Sequence, residues 1–445
     1  MLPAQEVIMK RMLEKQLLEW KDSKRRKPLI LRGARQVGKT WLVENVLAEG
    51  FENYVKIDFE KMNNLHTYFE GELNPRKILS YLELSTKPIT PGKTLLFLDE
   101  IQACPRAITA LRYFYEDIPE LHVVAAGSLL EFAFGEIPVP VGRVQYMQVY
   151  PMSFYEYLNA IRGKSLAEES LKHPDTVDEH VQNMLLEELR RYFFVGGMPE
   201  CVKTFSDSES MLETFKVQSE IIESYRDDFL KYKPHVDPAC LDAVILNCAK
   251  SVGNQLIYTK LNDGHTGQTN RKAFDLLNKA GVLKKIPSAN PSGLPLGATA
   301  NQKKFKASIL DIGLMQRLCG TPVDLELQRK DLLSMFRGKL AEQFVAQELL
   351  FYHGPDLFYW SRDARGSNAE VDYLLTFSGK IYPIEVKSGA AGSLKSLHML
   401  LQKYPNCPRG LVLYDGTYKI FPEQRMEFLP LYSTGGMSEE RISNT

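Results

Sequence analysis

The sequence predicts an α/β protein built on a parallel sheet in its amino-terminal part, and three stretches carry that expectation. In the first, the apolar run Pro28-Leu29-Ile30-Leu31 leads into Gly33-Ala34-Arg35-Gln36-Val37-Gly38-Lys39-Thr40, a strand entering a glycine-rich turn. Thr94-Leu95-Leu96-Phe97-Leu98-Asp99-Glu100, the second, is an apolar strand that ends on two acids. The third runs from Ala369 to Lys387 and has the pattern of a β-hairpin carrying Asp372, Glu385 and Lys387. Short apolar runs closed by turn residues read as buried strands.

Taken in order, the glycine-rich turn spells G-x-x-x-x-G-K-T. The backbone N–H groups of such a turn wrap phosphates, with Lys39 reaching the β and γ groups and Thr40 holding magnesium. Trp41 to Leu47 then has apolar residues at helical spacing, as a helix whose amino end faces phosphate should. Gly33, Ala34, Arg35, Gln36, Val37, Gly38, Lys39, Thr40 and Trp41 are therefore the expected nucleotide contacts. Tyr54 to Asp58 reads as a second strand and Thr94 to Glu100 as a third. Asp99 would hold magnesium through water, and Glu100 would polarise the attacking water. The plainer alternative is a buried strand ending in a solvated acidic turn. A fourth strand, Leu121 to Ala126, runs into Gly127-Ser128 at the edge where open parallel sheets bind ligands. Ser128 either orients water there or is a turn residue. Arg143 either neutralises charge at that edge, from its own or a neighbouring subunit, or is a surface arginine.

The totals limit the classes. With 445 residues the chain is long enough for several modules. It is 44% hydrophobic and 25% charged, the composition of an ordinary globular protein. A formal net charge of zero removes any global argument for nucleic-acid binding and leaves patches such as Lys24-Arg25-Arg26-Lys27 and Lys303-Lys304-Phe305-Lys306. The cysteines form no C-x-x-C pair, which argues against structural zinc or a disulfide framework. No apolar run approaches the roughly 18 residues of a membrane span, and the amino terminus lacks the apolar core of a signal peptide. The expected setting is the cytoplasm, without a membrane partner.

From about Leu158 to Lys231 the pattern turns helical and charged and reads as a lid. Phe193-Phe194-Val195-Gly196-Gly197-Met198-Pro199 within it signals only a sharp turn. Two helical patterns, Leu241 to Val252 and Thr269 to Ala280, precede the strands Val282 to Ile286 and Lys306 to Asp311. Helices followed by a two-stranded excursion match a winged helix, which serves either DNA or protein packing. On the first reading Gln268 to Lys279 would enter a groove, with Asn270, Arg271 and Lys272 on phosphates. Toward the carboxyl end, an amphipathic helix from Phe336 to Phe351 carries Glu342. In the hairpin that follows, Glu385 and Lys387 share one face and Asp372 sits beside them. Converging carboxylates bind a hard divalent ion, and a nearby lysine positions the water that attacks a phosphodiester. An exposed hairpin with a salt network is the alternative.

The segments GARQVGKT, LLFLDEIQ, AAGSLL, GRVQYMQVYPMSFYEYL and FFVGGMPECV together resemble the AAA-type ATPases with a DUF4143-type carboxyl-terminal region, relatives of the archaeal and STAND ATPases. The resemblance implies an ATP-hydrolysing α/β core with a magnesium cofactor, a winged-helix segment and a nuclease-like terminal domain. That terminal αβββαβ-like series resembles the PD-(D/E)xK nuclease superfamily, a restriction-endonuclease-like α/β fold. Asp372, Glu385 and Lys387 match its core and Glu342 its helix acid, although Glu370-Val371 stands where the motif has proline.

The expected division is an ATPase core over 1–160, a helical lid over 161–235, a winged helix over 236–320, the nuclease-like domain over 325–430 and a tail over 431–445. The expected function is ATP hydrolysis that controls a metal-dependent nuclease-like domain acting on DNA or another nucleic acid, with a protein partner or homo-oligomer as further candidates. The alternative is a regulatory ATP switch whose terminal domain binds without cutting.

Overall fold

The computed structural model describes residues 9–127, 142–163, 171–231, 236–320, 333–362, 369–387 and 394–444. The chain divides into two units, one formed by Lys10–Tyr150 with Lys279–Gly281 and the other by Pro151–Asn278 and Val282–Thr445. The boundaries expected from the sequence are finer than these two.

In the amino-terminal unit, α1 (Leu13–Asp22) precedes β1 (Leu29–Arg32), and α2 (Lys39–Leu42) follows the glycine turn and runs on as a π turn over Val43–Leu47. β2 (Asn53–Asp58), α3 (Pro75–Ser85), β3 (Thr94–Asp99), α4 (Pro105–Asp117), β4 (His122–Ala126) and β5 (Gln145–Gln148) complete it. The five strands form one sheet in the order β2-β3-β4-β1-β5, and every pairing is parallel. All residues of β3 and β4 are buried, as parallel strands under helices should be. Ile78 and Leu82 of α3 and Leu111 and Phe114 of α4 join Ile30, Leu96, Leu98 and Ala125 in one core. α3 starts where it does because Pro75 sits in its first turn and the Asn74 side chain accepts from the Lys77 amide at 3.1 Å.

In the second unit α5 (Phe154–Arg162), α6 (Glu179–Val195), α7 (Pro199–Ser208), α8 (Met211–Lys231), α9 (Pro238–Lys250) and α10 (Gly267–Lys279) lead to β6 (Leu283–Ser288) and β7 (Asn301–Ile309). α11 (Ile312–Leu318), α12 (Leu333–His353), β8 (Phe358–Ser361), β9 (Glu370–Phe377), β10 (Lys380–Val386), α13 (Lys395–Lys403), β11 (Gly410–Tyr414), β12 (Lys419–Phe421) and β13 (Met426–Pro430) follow. Its sheet is mixed and eight-stranded, in the order β12-β13-β11-β10-β9-β8-β6-β7. The hairpin β6/β7 is thus part of the terminal sheet: β6 meets β8 in parallel at Ser288 and Tyr359, and the Ala289 amide donates to the Tyr359 carbonyl at 2.8 Å. α13 covers part of this sheet, packing Leu397 and Leu400 on Trp360, Val371 and Ile381.

The helices read as a lid contribute to the core of this unit. The rings of Phe154 and Tyr192 meet Phe344 of α12 with centroids 6.0 Å apart in each case. α12 itself is not amphipathic: from Leu340 to Leu350 only Glu342 escapes full burial. The polar residues it carries inward have work there. Gln343 accepts from the Ile309 amide and donates to the Ile309 carbonyl, and Gln347 accepts from the Ile312 amide. Asn270 of α10, a candidate phosphate contact, is also buried; its amide donates to the carbonyls of Tyr258 and Asn262 at 2.9 Å.

The Gly196-Gly197 turn is shaped around one carboxylate. Asp311, fully buried, accepts from the Gly197 amide at 2.6 Å and caps α11 by accepting from the Leu314 amide at 3.0 Å. A Cβ on Gly196 would strike Asp311 Oδ1, and Gly196 holds φ +72°.

Glu348 of α12 carries a pH consequence. Its carboxyl accepts from the Phe154 amide at 3.0 Å, but burial, with Glu156 nearby, pushes its pKa up to about 8. A folded pKa above the unfolded value means that its favourable contribution is complete below about pH 4.5 and fades as pH rises through 8. The melting temperature of Glu348→Gln relative to wild type should therefore climb between pH 5 and 8.5, by about 2–4 °C or more. A pH-independent difference in differential scanning fluorimetry would refute it.

Candidate functional site

The sheet order decides where the chemistry gathers. Leu31 of β1 pairs with Ala126 of β4, and Leu98 of β3 pairs with Ala125, so the chain leaves β1 for Gly33 and β3 for Glu100 on the same carboxyl edge. The turn after β1 must pass tightly under Val149: a Cβ on Gly33 would collide with the Val149 carbonyl oxygen, and the Val149 amide donates to the Arg32 carbonyl at 2.7 Å. Positive φ at Gln36 (+64°) and Gly38 (+95°) curls the backbone into the kind of concavity that binds anions. Arg11 braces this turn from outside, its guanidinium donating to the carbonyls of Val37 at 3.0 Å and Tyr150 at 2.7 Å.

Lys39 is buried within the curl, and its ammonium donates to the carbonyls of Gly33 at 2.9 Å and Ala34 at 2.7 Å. Burial lowers its pKa to about 8, against the opposing pull of Glu100 and Asp99. Thr40 Oγ1 donates to Asp99 Oδ2 at 3.2 Å, and the Lys56 ammonium lies 3.2 Å from the same oxygen. A hydroxyl and a carboxylate side by side are hard oxygen donors that suit magnesium. Glu100 stands in the left-handed region with φ +49°. Its carboxylate accepts from Gln102 Nε2 at 2.5 Å, and burial raises its pKa, the direction that favours proton acceptance near neutrality.

A second cluster lies in the carboxyl-terminal unit. β9 and β10 pair antiparallel with Tyr373 opposite Ile384, which sets Asp372 across from Glu385. Asp372 Oδ2 accepts from the Val386 amide at 2.9 Å, and Glu385 Oε1 meets the Lys387 ammonium at 2.7 Å. The centre is taken by Lys306 of β7, whose ammonium lies 3.1 Å from Asp372, 2.5 Å from Glu370 and 3.3 Å from Glu342. Burial pushes the carboxyls of Glu342 and Glu385 up, to about 8 and about 7, with Asp372 adding to both shifts. Among the described residues no three His, Cys, Asp or Glu side chains are arranged to hold a metal. Glu342, Asp372 and Glu385 thus come together as the sequence predicts, but around an ammonium and not around a vacancy for a divalent ion; as placed, the set does not suit a metal.

Residues 25–158 match the family model described as AAA domain. This segment is an AAA-type ATPase domain. Residues 186–325 and 337–434 match two domains of unknown function, DUF8612 and DUF4143. No curated protein matches the chain. Among solved structures, the chain is similar to a Walker-type ATPase of Pyrococcus abyssi at 16% identity and TM-score 0.45, covering 70% of this chain and 96% of that one. A STAND protein with a tetratricopeptide repeat sensor from Pyrococcus horikoshii is 12% identical with TM-score 0.29, over 78% of this chain and 46% of that one. The Holliday junction branch migration motor RuvB of Thermotoga maritima is 16% identical with TM-score 0.28, over 62% and 89%.

Within the ATPase domain the structure brings Lys39, Thr40, Asp99 and Glu100 together. Arg143 stands apart from these four in its own chain. It precedes β5, whose Gln145 pairs with Leu29 at the start of β1, so it lies on the amino edge of the sheet, about 10 Å or more from the glycine turn along the strand. There it binds Glu116 at 3.1 Å. Arg35 lies 3.8 Å from Glu60. Ser128 falls outside the described residues. Sequence reasoning missed Lys56 and Arg11, and it read Lys306 only as part of the basic patch Lys303-Lys304-Phe305-Lys306, whereas the structure buries it. A signal for Lys306 existed: unlike Lys303 and Lys304 it stands between Phe305 and Ala307-Ser308-Ile309, where a cation can be buried only if acids meet it.

Proposed function

We propose that the protein is an ATP-operated switch in which Lys39, Thr40, Asp99 and Glu100 bind and hydrolyse Mg-ATP, and the state of that site governs a carboxyl-terminal unit that binds its partner without cutting it. The observation that carries the first half is the Lys39 ammonium, buried inside the glycine turn and bonded there to two of the turn's own carbonyls. An incoming phosphate supplies the opposite charge that burial has made scarce. Thr40 and Asp99 would hold magnesium, which screens the phosphate charge when bound. Asp99 is kept in place by Lys56 and the Glu100 amide, and Glu100 takes the proton of the attacking water.

Replacing Glu100 by glutamine removes the proton acceptor and keeps the shape. Glu100→Gln should bind Mg-ATP within a few-fold of wild type and hydrolyse it about 100-fold or more slowly, as a phosphate-release assay reads. Turnover near the wild-type rate would remove Glu100 from the reaction.

The choice of a non-cleaving unit over a metal-dependent nuclease rests on Lys306 standing among Glu342, Glu370 and Asp372. Plasmid and single-stranded DNA incubated with manganese, with and without ATP, should remain intact. Cutting by wild type that Asp372→Ala abolishes would restore the nuclease reading.

A further inference from the structure

Lys306 sits in the buried half of β7, 1% exposed, in a strand whose other end is open to solvent. An ammonium has three N–H donors and no acceptor. Here three carboxylates surround it, one on α12 and two on β9: Glu342, Glu370 and Asp372. The Tyr359 ring closes the site from another side, with its centroid 5.4 Å from the ammonium. A buried charge so completely matched is one that the surrounding fold has been built to hold.

The acids around it also retain an unspent oxygen. Glu385, 6% exposed, gives Oε1 to Lys387, while its Oε2 is buried and finds no hydrogen-bond donor among the described residues. Across the ladder from Glu385, Asp372 has one oxygen on the Val386 amide and the other on Lys306. Taking Lys306 away would leave the oxygens of Glu342, Glu370 and Asp372 without their shared cation, with Glu385, across the ladder from Asp372, holding a buried oxygen that already lacks a partner among the described residues. That is the oxygen-rich donor set a hard divalent ion takes.

We propose that Lys306 is a built-in cation that occupies a latent divalent-metal site formed by Glu342, Glu370, Asp372 and Glu385, and thereby keeps the carboxyl-terminal unit metal-free. The hairpin β6/β7 supplies the plug, and the acids on α12, β9 and β10 supply the socket. The inference deepens the non-cleaving reading of this unit and rests on it, but metal binding and strand cleavage are separate observables.

The test is manganese binding to the full chain without nucleotide, followed by calorimetry and by electron paramagnetic resonance of free manganese. Wild type and Asp372→Asn should take up manganese alike, because the socket is filled in both. Lys306→Ser should gain one additional site, about tenfold or more tighter than any wild-type uptake, and lose it again in Lys306→Ser with Asp372→Asn. Manganese should also raise the melting temperature of Lys306→Ser and leave that of wild type unchanged, because the ion then binds only the folded socket. A wild-type site that Asp372→Asn removes would overturn the proposal, since the lysine would then not exclude metal. So would a folded Lys306→Ser that gains no site. If Lys306→Ser folds only with manganese present, the proposal stands; if it does not fold at all, the wild-type comparison with Asp372→Asn decides. DNA cleavage by wild type without a manganese site at Asp372 would sink the non-cleaving reading and leave the plug intact.

Discussion

Lys39→Ala should lose Mg-ATP binding by about 100-fold or more, equivalent to about 3 kcal/mol, and with it all measurable hydrolysis. The ammonium is buried and bonded to the Gly33 and Ala34 carbonyls, so its removal takes away the buried cation held inside the turn. Isothermal titration with wild type as reference reads the result. Affinity within a few-fold of wild type would remove Lys39 from phosphate recognition. A pH dependence follows from the same residue. Its pKa is lowered to about 8 in the free protein, and bound phosphate raises it. Binding above pH 8 must therefore take up a proton, and affinity should decline as pH rises from 8 to 9.5. Titrations in buffers of different ionisation enthalpy would expose that proton.

Asp311→Ala should destabilise the carboxyl-terminal unit by about 2–4 kcal/mol. The substitution leaves the amides of Gly197 and Leu314 buried without their acceptor, and it opens a gap against Gly196, whose missing side chain exists to admit the carboxylate. Burial raises the Asp311 pKa to about 6 even though amides hold it. Its favourable contribution is thus complete below about pH 4 and fades as pH rises through 6. Chemical denaturation of wild type and variant at pH 5 reads the loss, and a variant as stable as wild type would show that the Gly-Gly turn does not depend on this carboxylate. Asp311→Asn, which keeps an acceptor, should lose less than alanine.

Much of the amino-terminal site was legible in the sequence because its information is local. The turn from Gly33 to Thr40 needs glycine where the backbone passes under Val149 and lysine where a phosphate arrives, and those demands fall within eight neighbouring residues. β3 and β4 read correctly because buried parallel strands are apolar at every position. β5 did not, since an edge strand with three of its four residues exposed carries no apolar stripe. The place of Arg143 at the amino edge of its own sheet follows from β5 and could not be read without that strand.

The sequence by itself determined the nucleotide-binding turn, its acidic strand tip and the hairpin that carries Asp372 and Glu385, because each is a pattern of near neighbours along the chain. Only the tertiary structure decided that Lys306, 66 positions before Asp372, enters the acidic cluster, and that Asp311 reaches back to Gly197. Those pairings depend on strand order and helix packing between segments far apart in the chain, and the Coulomb attraction that makes them matter acts through space, not along the backbone.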